Sequence, residues 1–456
     1  MSLPLIPLGI YCVFPHPFYD SDCTLSILIA VLLLQQLDLK PLTSARALLI
    51  GVALVIPLFV KQNTGLVFLA GVVVLLIAAL AVERLRHRQV GRYVSILAGV
   101  VIGLAVALLL IQFTAGLRNY WHWTIVYAGS RRTPARADML GVYADKTILL
   151  WIGLIVAGVT VCWLARRASH TLALLSSLLI ATPFIWPAIY LLRENDPSER
   201  ADRLLMLWPV LLIVSFVVAI VTIKRRAGIS TVLPFMLIGA IHGAFMSQQL
   251  WGSTFAIWPL FMILLAVSIA ELARRSKPTS WMTIPLTAAI VASLLISGGF
   301  YVWSHERLDY ANLDEGELRR STLPQLKGLS VRGEWIPNFE ELVRYTEREI
   351  PRDEGILILP GEDAFYYATG RRPQFPVLLF DHTANPYSPE EILKICHERN
   401  IRWLIVKQDL QNEDEGVEQE RDRLTEALEQ EFEQVESLNG YDIYRWNDPD
   451  QNNDDR

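Results

Sequence analysis

Cysteine is scarce, with four residues in a chain of 456 at Cys12, Cys23, Cys162 and Cys396. None sits in a C-x-x-C spacing or beside paired histidines, which excludes the usual zinc frameworks. Cys12 and Cys23 can share a face, but their separation fixes no disulfide geometry. Positive charge is nowhere concentrated enough for a nucleic-acid surface, and the formal net charge is −5. Also missing are a glycine-rich phosphate loop, a Ser-His-Asp order and clustered metal ligands. A secretory leader would carry a basic start and a small-residue cleavage site. Leu3–Phe14 carries neither, and its apolar, proline-interrupted run reads as the outer half of a helix whose beginning is absent.

What is present is apolar length. The chain is 52% hydrophobic, and those residues gather before position 304. Apolar runs of the length needed to cross roughly 30 Å of hydrocarbon fall at 24–38, 45–61, 64–82, 93–116, 147–165, 171–192, 204–223, 231–249, 254–273 and 281–303. The expected fold class is a polytopic α-helical membrane protein of about ten crossings with a C-terminal soluble α/β domain on the outer side. Residues 1–303 form the membrane domain, 304–338 a linker of little regular structure, 339–446 the α/β domain and 447–456 a disordered acidic tail.

Loop charge gives the orientation. Glu83–Arg88 through Arg92, Arg166-Arg167, Lys224-Arg225-Arg226, and Arg274-Arg275 with Lys277 fall on one side, which the positive-inside rule makes cytoplasmic. The expected location is the inner (plasma) membrane, multi-pass, with the C-terminal domain periplasmic or extracellular. The outer face then collects Pro15–Asp22, Lys61–Asn63, the loop 117–146, Arg193–Arg203 and Ser247–Ser253. Arg118-Asn119-Tyr120-Trp121-His122-Trp123 suits an amphipathic helix at headgroup depth. In the α/β domain the pattern predicts helices at Phe339–Glu349, Ala364–Ala368, Pro389–Arg399 and Arg421–Phe432. Strands are predicted at Gly355–Leu359, Pro376–Phe380, Trp403–Lys407 and Tyr441–Trp446.

Several residues have a structural and a chemical reading. Asp20 and Asp22 start a crossing, where capping and the helix dipole favour carboxylates, or they supply a general base in a surface cleft. Lys61 ends one apolar run beside Gln62 and Asn63. It snorkels to headgroups or contacts a lipid-linked phosphate. Arg193, Arg200 and Arg203 can grip phosphate, or pair with Glu194, Asp196, Glu199 and Asp202 in a solvated loop. His242, within a crossing, reads as a helix–helix hydrogen bond or a proton relay. Leu359-Pro360-Gly361-Glu362-Asp363 can bind a ligand or simply turn the chain.

Tyr19–Thr24 leading into Leu25–Leu34, and Gly51–Val60 ending in Lys61-Gln62, resemble stretches of the bacterial GT-C glycosyltransferases. So do Arg203–Pro209, Gly252–Pro259, and the tail stretches Leu359–Pro373 and Trp403–Lys407. The closest likeness is to the aminoarabinose-transferase and protein O-mannosyltransferase group, over most of the chain. The resemblance implies sugar transfer from a polyprenyl-phosphate donor to a lipid, glycan or protein acceptor, with the bilayer as partner and no nucleic acid. Asp22 matches the family's second acidic position and Lys61 its phosphate-side lysine. Asp20, Gln62, Arg193, Arg200 and Arg203 complete the candidate set. The family's principal acid lies in a first outer loop that this chain would lack, so activity is expected only if that loop is supplied. No cofactor is implied, and a divalent metal is left open. Rival classes are a transporter or flippase, which needs paired intramembrane charges or broken helices, and a non-catalytic scaffold that presents the C-terminal domain.

Overall fold

The computed structural model describes residues 2–8, 19–39, 43–85, 90–131, 140–165, 170–193, 207–223, 229–244, 256–275, 280–303, 316–380, 385–410 and 415–447. Inter-residue contacts divide the chain into two units, Met1–Arg307 and Leu308–Arg456. Arg200, Arg203, the segment 245–255 and the expected acidic tail beyond 447 lie outside the described residues.

Among the described residues of the first unit, six helices are long and apolar enough to cross a membrane. This marks the chain as a membrane protein. The helices that position the site are α1 (Tyr19–Leu39), α2 (Ser44–Ala53), α3 (Ile56–Val60), α4 (Gln62–Leu85) and α5 (Gly91–Thr114). After them come α6 (Lys146–Ala165), α7 (His170–Arg193), α8 (Leu207–Thr222), α9 (Ile229–Ala244), α10 (Trp258–Arg275) and α11 (Ser280–Trp303). Leu109 and Phe113 of α5 are exposed, as an apolar side chain facing lipid would be.

Small residues set how closely these helices approach. A Cβ on Gly51 of α2 would fall on the Ile96 carbonyl oxygen, and one on Gly99 of α5 would fall on that of Leu48. Gly103, one turn after Gly99, faces Val52 and Val55. The two backbones thus touch along a small-xxx-small stripe, which gives membrane helices dispersion contact where no hydrophobic force separates helix from lipid. In the last turn of α1, the Asp38 carboxylate accepts from the Ile229 and Ser230 N–H groups at 3.1 and 3.2 Å. It thereby satisfies donors that the first turn of α9 leaves open.

The expected single crossing at 45–61 is two pieces. Pro57 has no N–H and its ring opposes the carbonyl four residues back, so α2 ends at Ala53 and α3 starts afresh. Lys61 alone separates α3 from α4, and α4 folds back along α3. The aromatic stretch is helical, as Leu117–Tyr120, a π-helix at Trp121–Tyr127 and Ala128–Arg131, with Trp121 and Val126 exposed.

The second unit contains a four-stranded sheet. Before it, the stretch expected to be a linker pairs β1 (Leu318–Arg320) antiparallel with β2 (Ser330–Arg332), and α12 (Trp335–Glu349) begins ahead of Phe339. The cause is a distant anchor. Glu340 of α12 accepts from the Thr322 N–H, the Thr322 hydroxyl and the Ser321 hydroxyl at 2.5, 2.6 and 3.0 Å, pinning the hairpin to the helix. The sheet follows as β3 (Gly355–Leu359), α13 (Asp363–Thr369), α14 (Pro389–Glu398), β4 (Ile401–Lys407), α15 (Glu415–Leu428), β5 (Phe432–Leu438) and β6 (Tyr441–Trp446). Its order is β3-β4-β6-β5, with β3 and β4 parallel and the remaining pairs antiparallel. Ser388 and Glu391 form a reciprocal capping box that starts α14.

Two expectations for this sheet are corrected. Pro376–Phe380 is not a strand. Pro376 cannot donate to a ladder, and the segment instead drops Phe375 and Phe380 into the core under β3 and β4. The helix expected to run to Phe432 ends at Leu428, and β5 takes over. That strand is exposed along most of its length, so it lacks the apolar alternation that marks a strand, and only pairing with β6 makes it one.

The Glu340 anchor makes a pH prediction. Burial raises its carboxyl pKa, but the donors from Thr322 and Ser321 outweigh burial and hold it below the ordinary value. A depressed folded-state pKa gives stability that is complete above the unfolded value, about 4.3, and is lost as pH falls through the folded one. Melting of the second unit, followed by near-UV circular dichroism down to about pH 3, should fall more steeply in the wild type than in Glu340→Gln. Equal slopes would remove Glu340 from the account.

Candidate functional site

Lys61 is the only residue between two helices, and that position explains its environment. Its N–H donates to Pro57 O at 3.0 Å, and the Gly65 N–H donates to Lys61 O at 2.8 Å, so the turn is held from both sides. A Cβ on Gly65 would collide with the Pro57 carbonyl, so the hairpin closes only around a glycine. The ammonium then projects into the bundle and donates to Oδ1 of Asp20 in the first turn of α1. Both side chains are buried, at 6% and 3% exposure. The ammonium also lies 5.3 Å from the centre of the Tyr19 ring, within cation–π range.

The surroundings are polar beyond this pair. One turn on from Asp20, the Cys23 thiol donates to Pro57 O at 3.6 Å. Thr24 on α1 and Thr64 on α4 are buried. Their hydroxyls, and Oδ2 of Asp20, have no hydrogen-bond partner among the described residues. Three orphaned polar atoms beside one buried ion pair form a site with hydrogen-bonding capacity to spare, which buried polar groups seldom leave unused. Asn63 turns its amide oxygen back to the Thr64 N–H at 2.8 Å, and Gln62 is half-buried.

Helix α9 closes a further side. A Cβ on Gly243 would lie 2.7 Å from Thr64 Cα, so its end touches the start of α4 at backbone distance. The residue before it, His242, donates from Nδ1 to Ile238 O at 2.8 Å. Nε2 is then the acceptor for the Tyr143 hydroxyl at 2.7 Å, with the two rings stacked. Of the two sequence readings of His242, a hydrogen bond between segments is the geometry observed.

The other expected site residues do not converge here. Asp22 is exposed and lies two positions from Asp20, so the two carboxylates leave α1 on different faces. Arg193 is exposed in the last turn of α7, a helix that packs on α6 and α11 rather than on α1 or α4. Arg200 and Arg203 lie outside the described residues. Among the described residues no three His, Cys, Asp or Glu side chains come together as a metal site.

Cys23, Thr24 and Thr64 belong to this site and Tyr143 borders it through His242, though no sequence motif singles them out. The i, i+3, i+4 spacing of Asp20, Cys23 and Thr24 was a usable signal, because it stacks them on one helical stripe.

A second buried pair lies in the C-terminal unit. The register of the parallel strands sets Leu359 beside Val406, so the chain leaving β3 meets Lys407 at the end of β4. Lys407 donates to Glu362 Oε2 at 2.6 Å, and the Tyr441 hydroxyl donates to the same oxygen at 3.2 Å. Burial, followed by the Glu362 charge, pushes the Tyr441 hydroxyl far above its ordinary pKa. Arg421 donates to the carbonyls of Lys407 and Gln408. With its donors and acceptors matched to one another, this cluster locks the ends of β3, β4 and β6 together.

Compared with known protein families, characterised proteins and solved structures, the chain matches none.

Proposed function

We propose that the chain is an integral-membrane glycosyltransferase that moves a sugar from a polyprenyl-phosphate donor to a lipid, glycan or protein acceptor. In this reading the helices cross the inner (plasma) membrane, the Lys61 turn lies at its outer face and the C-terminal unit is periplasmic or extracellular. The observation that carries it is the buried Asp20–Lys61 pair with orphaned acceptors and hydroxyls around it. An incoming donor phosphate competes with Asp20 for the ammonium. Lys61 then stabilises the charge that develops on the departing phosphate, and the released Asp20 carboxylate accepts the proton of the acceptor hydroxyl. Asp20 is favoured over Asp22 for this work, because only Asp20 reaches Lys61.

The test is sugar transfer in membranes from a radiolabelled polyprenyl-phosphate sugar. Asp20→Asn and Lys61→Ala should each lower the rate by about two orders of magnitude or more. A rate lost in Asp22→Ala but kept in Asp20→Asn would move the base to the other face of α1. Unchanged rates in both Asp20→Asn and Lys61→Ala would remove the site.

One observation favours a second reading. A buried charge pair at the turn between α3 and α4 is also what a transporter uses to hold an ion or charged substrate. Substrate uptake by reconstituted proteoliposomes, without any sugar transfer, would select that reading.

A further inference from the structure

In the membrane unit, α7 packs on α6 and α11, while α8 packs on α9 and α10. Between α7 and α8 lies a cavity of about 110 Å³. One stripe of α8 forms its long wall, with Leu207, Val210, Leu211, Val214, Ser215 and Val218 at i, i+3, i+4, i+7, i+8 and i+11. From Leu207 to Val218 the helical rise makes that wall about 16 Å long. Pro183 lines the cavity from inside α7. Its missing N–H leaves one helical hydrogen bond unmade at that level, a common cause of a bend that holds two helices apart.

The lining is apolar except for the hydroxyls of Ser215 and Ser268, and no charged side chain is among its residues. A buried water needs two to four polar partners, so such a cavity stays dry, and it offers nothing to hold an ion or a sugar. It is also not sealed. Val159 of α6 lines it and is 42% exposed, and Val217, next to the lining residue Val218 on α8, is 52% exposed. The opening is therefore continuous with the apolar surface that α6 and α8 turn to lipid.

We infer that this cavity binds one unbranched acyl chain of a membrane lipid. Left empty, its walls lose dispersion contacts on one side, and a hydrocarbon chain entering from the bilayer restores them. The wall is close to half of the roughly 30 Å hydrocarbon core, which is the depth that one lipid chain covers. The volume is small for that length, so a thin chain fits, whereas a sterol ring system or a methyl-branched chain does not. The cavity is thus no place for the branched tail of a polyprenyl donor. None of its lining residues lies on α1, α3, α4 or α9, and it does not depend on what the Asp20–Lys61 pair does.

The experiment uses the full chain in a steroid-based detergent, whose ring body does not fit the cavity. A phosphatidylcholine with a diazirine in its palmitoyl chain is photolysed with the protein, and the labelled residues are mapped by mass spectrometry. Label should concentrate on lining residues such as Val159, Val214 and Leu272 rather than on exposed residues such as Leu109 and Phe113. Dipalmitoylphosphatidylcholine should displace it at least about tenfold more effectively than diphytanoylphosphatidylcholine, which has the same headgroup and branched chains. Val214→Trp, which fills the cavity, should lower labelling of the other lining residues at least about tenfold. Val217→Trp, on the neighbouring face of α8, should leave it unchanged. Label spread evenly over the exposed apolar residues, or equal displacement by the two lipids, overturns the site, and both readouts use the wild type. Equal labelling of the wild type and Val214→Trp overturns it as well.

Discussion

Replacing Lys61 with methionine should be among the most damaging single changes in the membrane unit. It leaves the Asp20 carboxylate buried with one oxygen newly unpaired and the other already without a partner. Removing one member of a buried ion pair costs about 3–5 kcal/mol, because the remaining charge keeps its desolvation penalty and loses its compensation. Replacing both members with apolar groups of similar size removes that penalty. Asp20→Leu with Lys61→Met should therefore melt much closer to the wild type than Lys61→Met alone, as measured by thermal unfolding in detergent. The same pair of variants separates structure from chemistry. If the ion pair is part of a catalytic site, the double variant regains stability and stays inactive. If it only locks α1 to the Lys61 turn, the double variant regains activity along with stability.

The second large effect is expected at Gly65, and a neighbour on the same helix provides its control. A methyl group at Gly65 collides with the backbone of Pro57 and Leu58, which belong to the short helix that precedes Lys61. Backbone cannot step aside as a flexible side chain can, so α3 must move off α4. Pro57 O also accepts from the Lys61 N–H and the Cys23 thiol, so that movement loosens the turn itself and its link to Cys23 of α1. Overpacking of this kind costs about 1–3 kcal/mol, and more where only backbone can yield. At Gly71, two turns along α4, nothing lies within 4 Å of the added carbon. Gly71→Ala should then be neutral or stabilising by up to about 1 kcal/mol, through the lower entropy of the unfolded chain and the better helix propensity. The same substitution on one helix is thus expected to have opposite signs. Equal melting temperatures for Gly65→Ala and Gly71→Ala would refute the close α3–α4 contact.

These two cases show where reading along the chain stops. The apolar run 64–82 is visible from composition, and so is a lysine at its edge. That Gly65 is indispensable and Gly71 is not depends on which helix lies alongside, and spacing along α4 treats them alike. Asp20 and Asp22 likewise read as equivalent carboxylates two positions apart. Only the fold of α3 back along α4 brings Lys61 to one of them and leaves the other exposed.

Taken alone, the sequence determined the apolar helices of the first unit and the alternation of helix and strand in the second. Those patterns depend on local periodicity and on the length needed to span hydrocarbon. Strand β3 begins and ends where its apolar run does, at Gly355 and Leu359. Tertiary structure alone decided what depends on partners far apart in the chain. It paired Asp20 with Lys61 across 41 positions, Tyr143 with His242 across 99 and Glu362 with Lys407 across 45. It also made a strand of the polar segment Phe432–Leu438, because β6 offers that segment a ladder, and it turned an expected linker into a hairpin held by Glu340. The physical reason is the same in each case. Buried polar groups and unpaired backbone are costly, so each is settled by whichever partner folding brings within hydrogen-bond reach, and sequence distance carries no record of that reach.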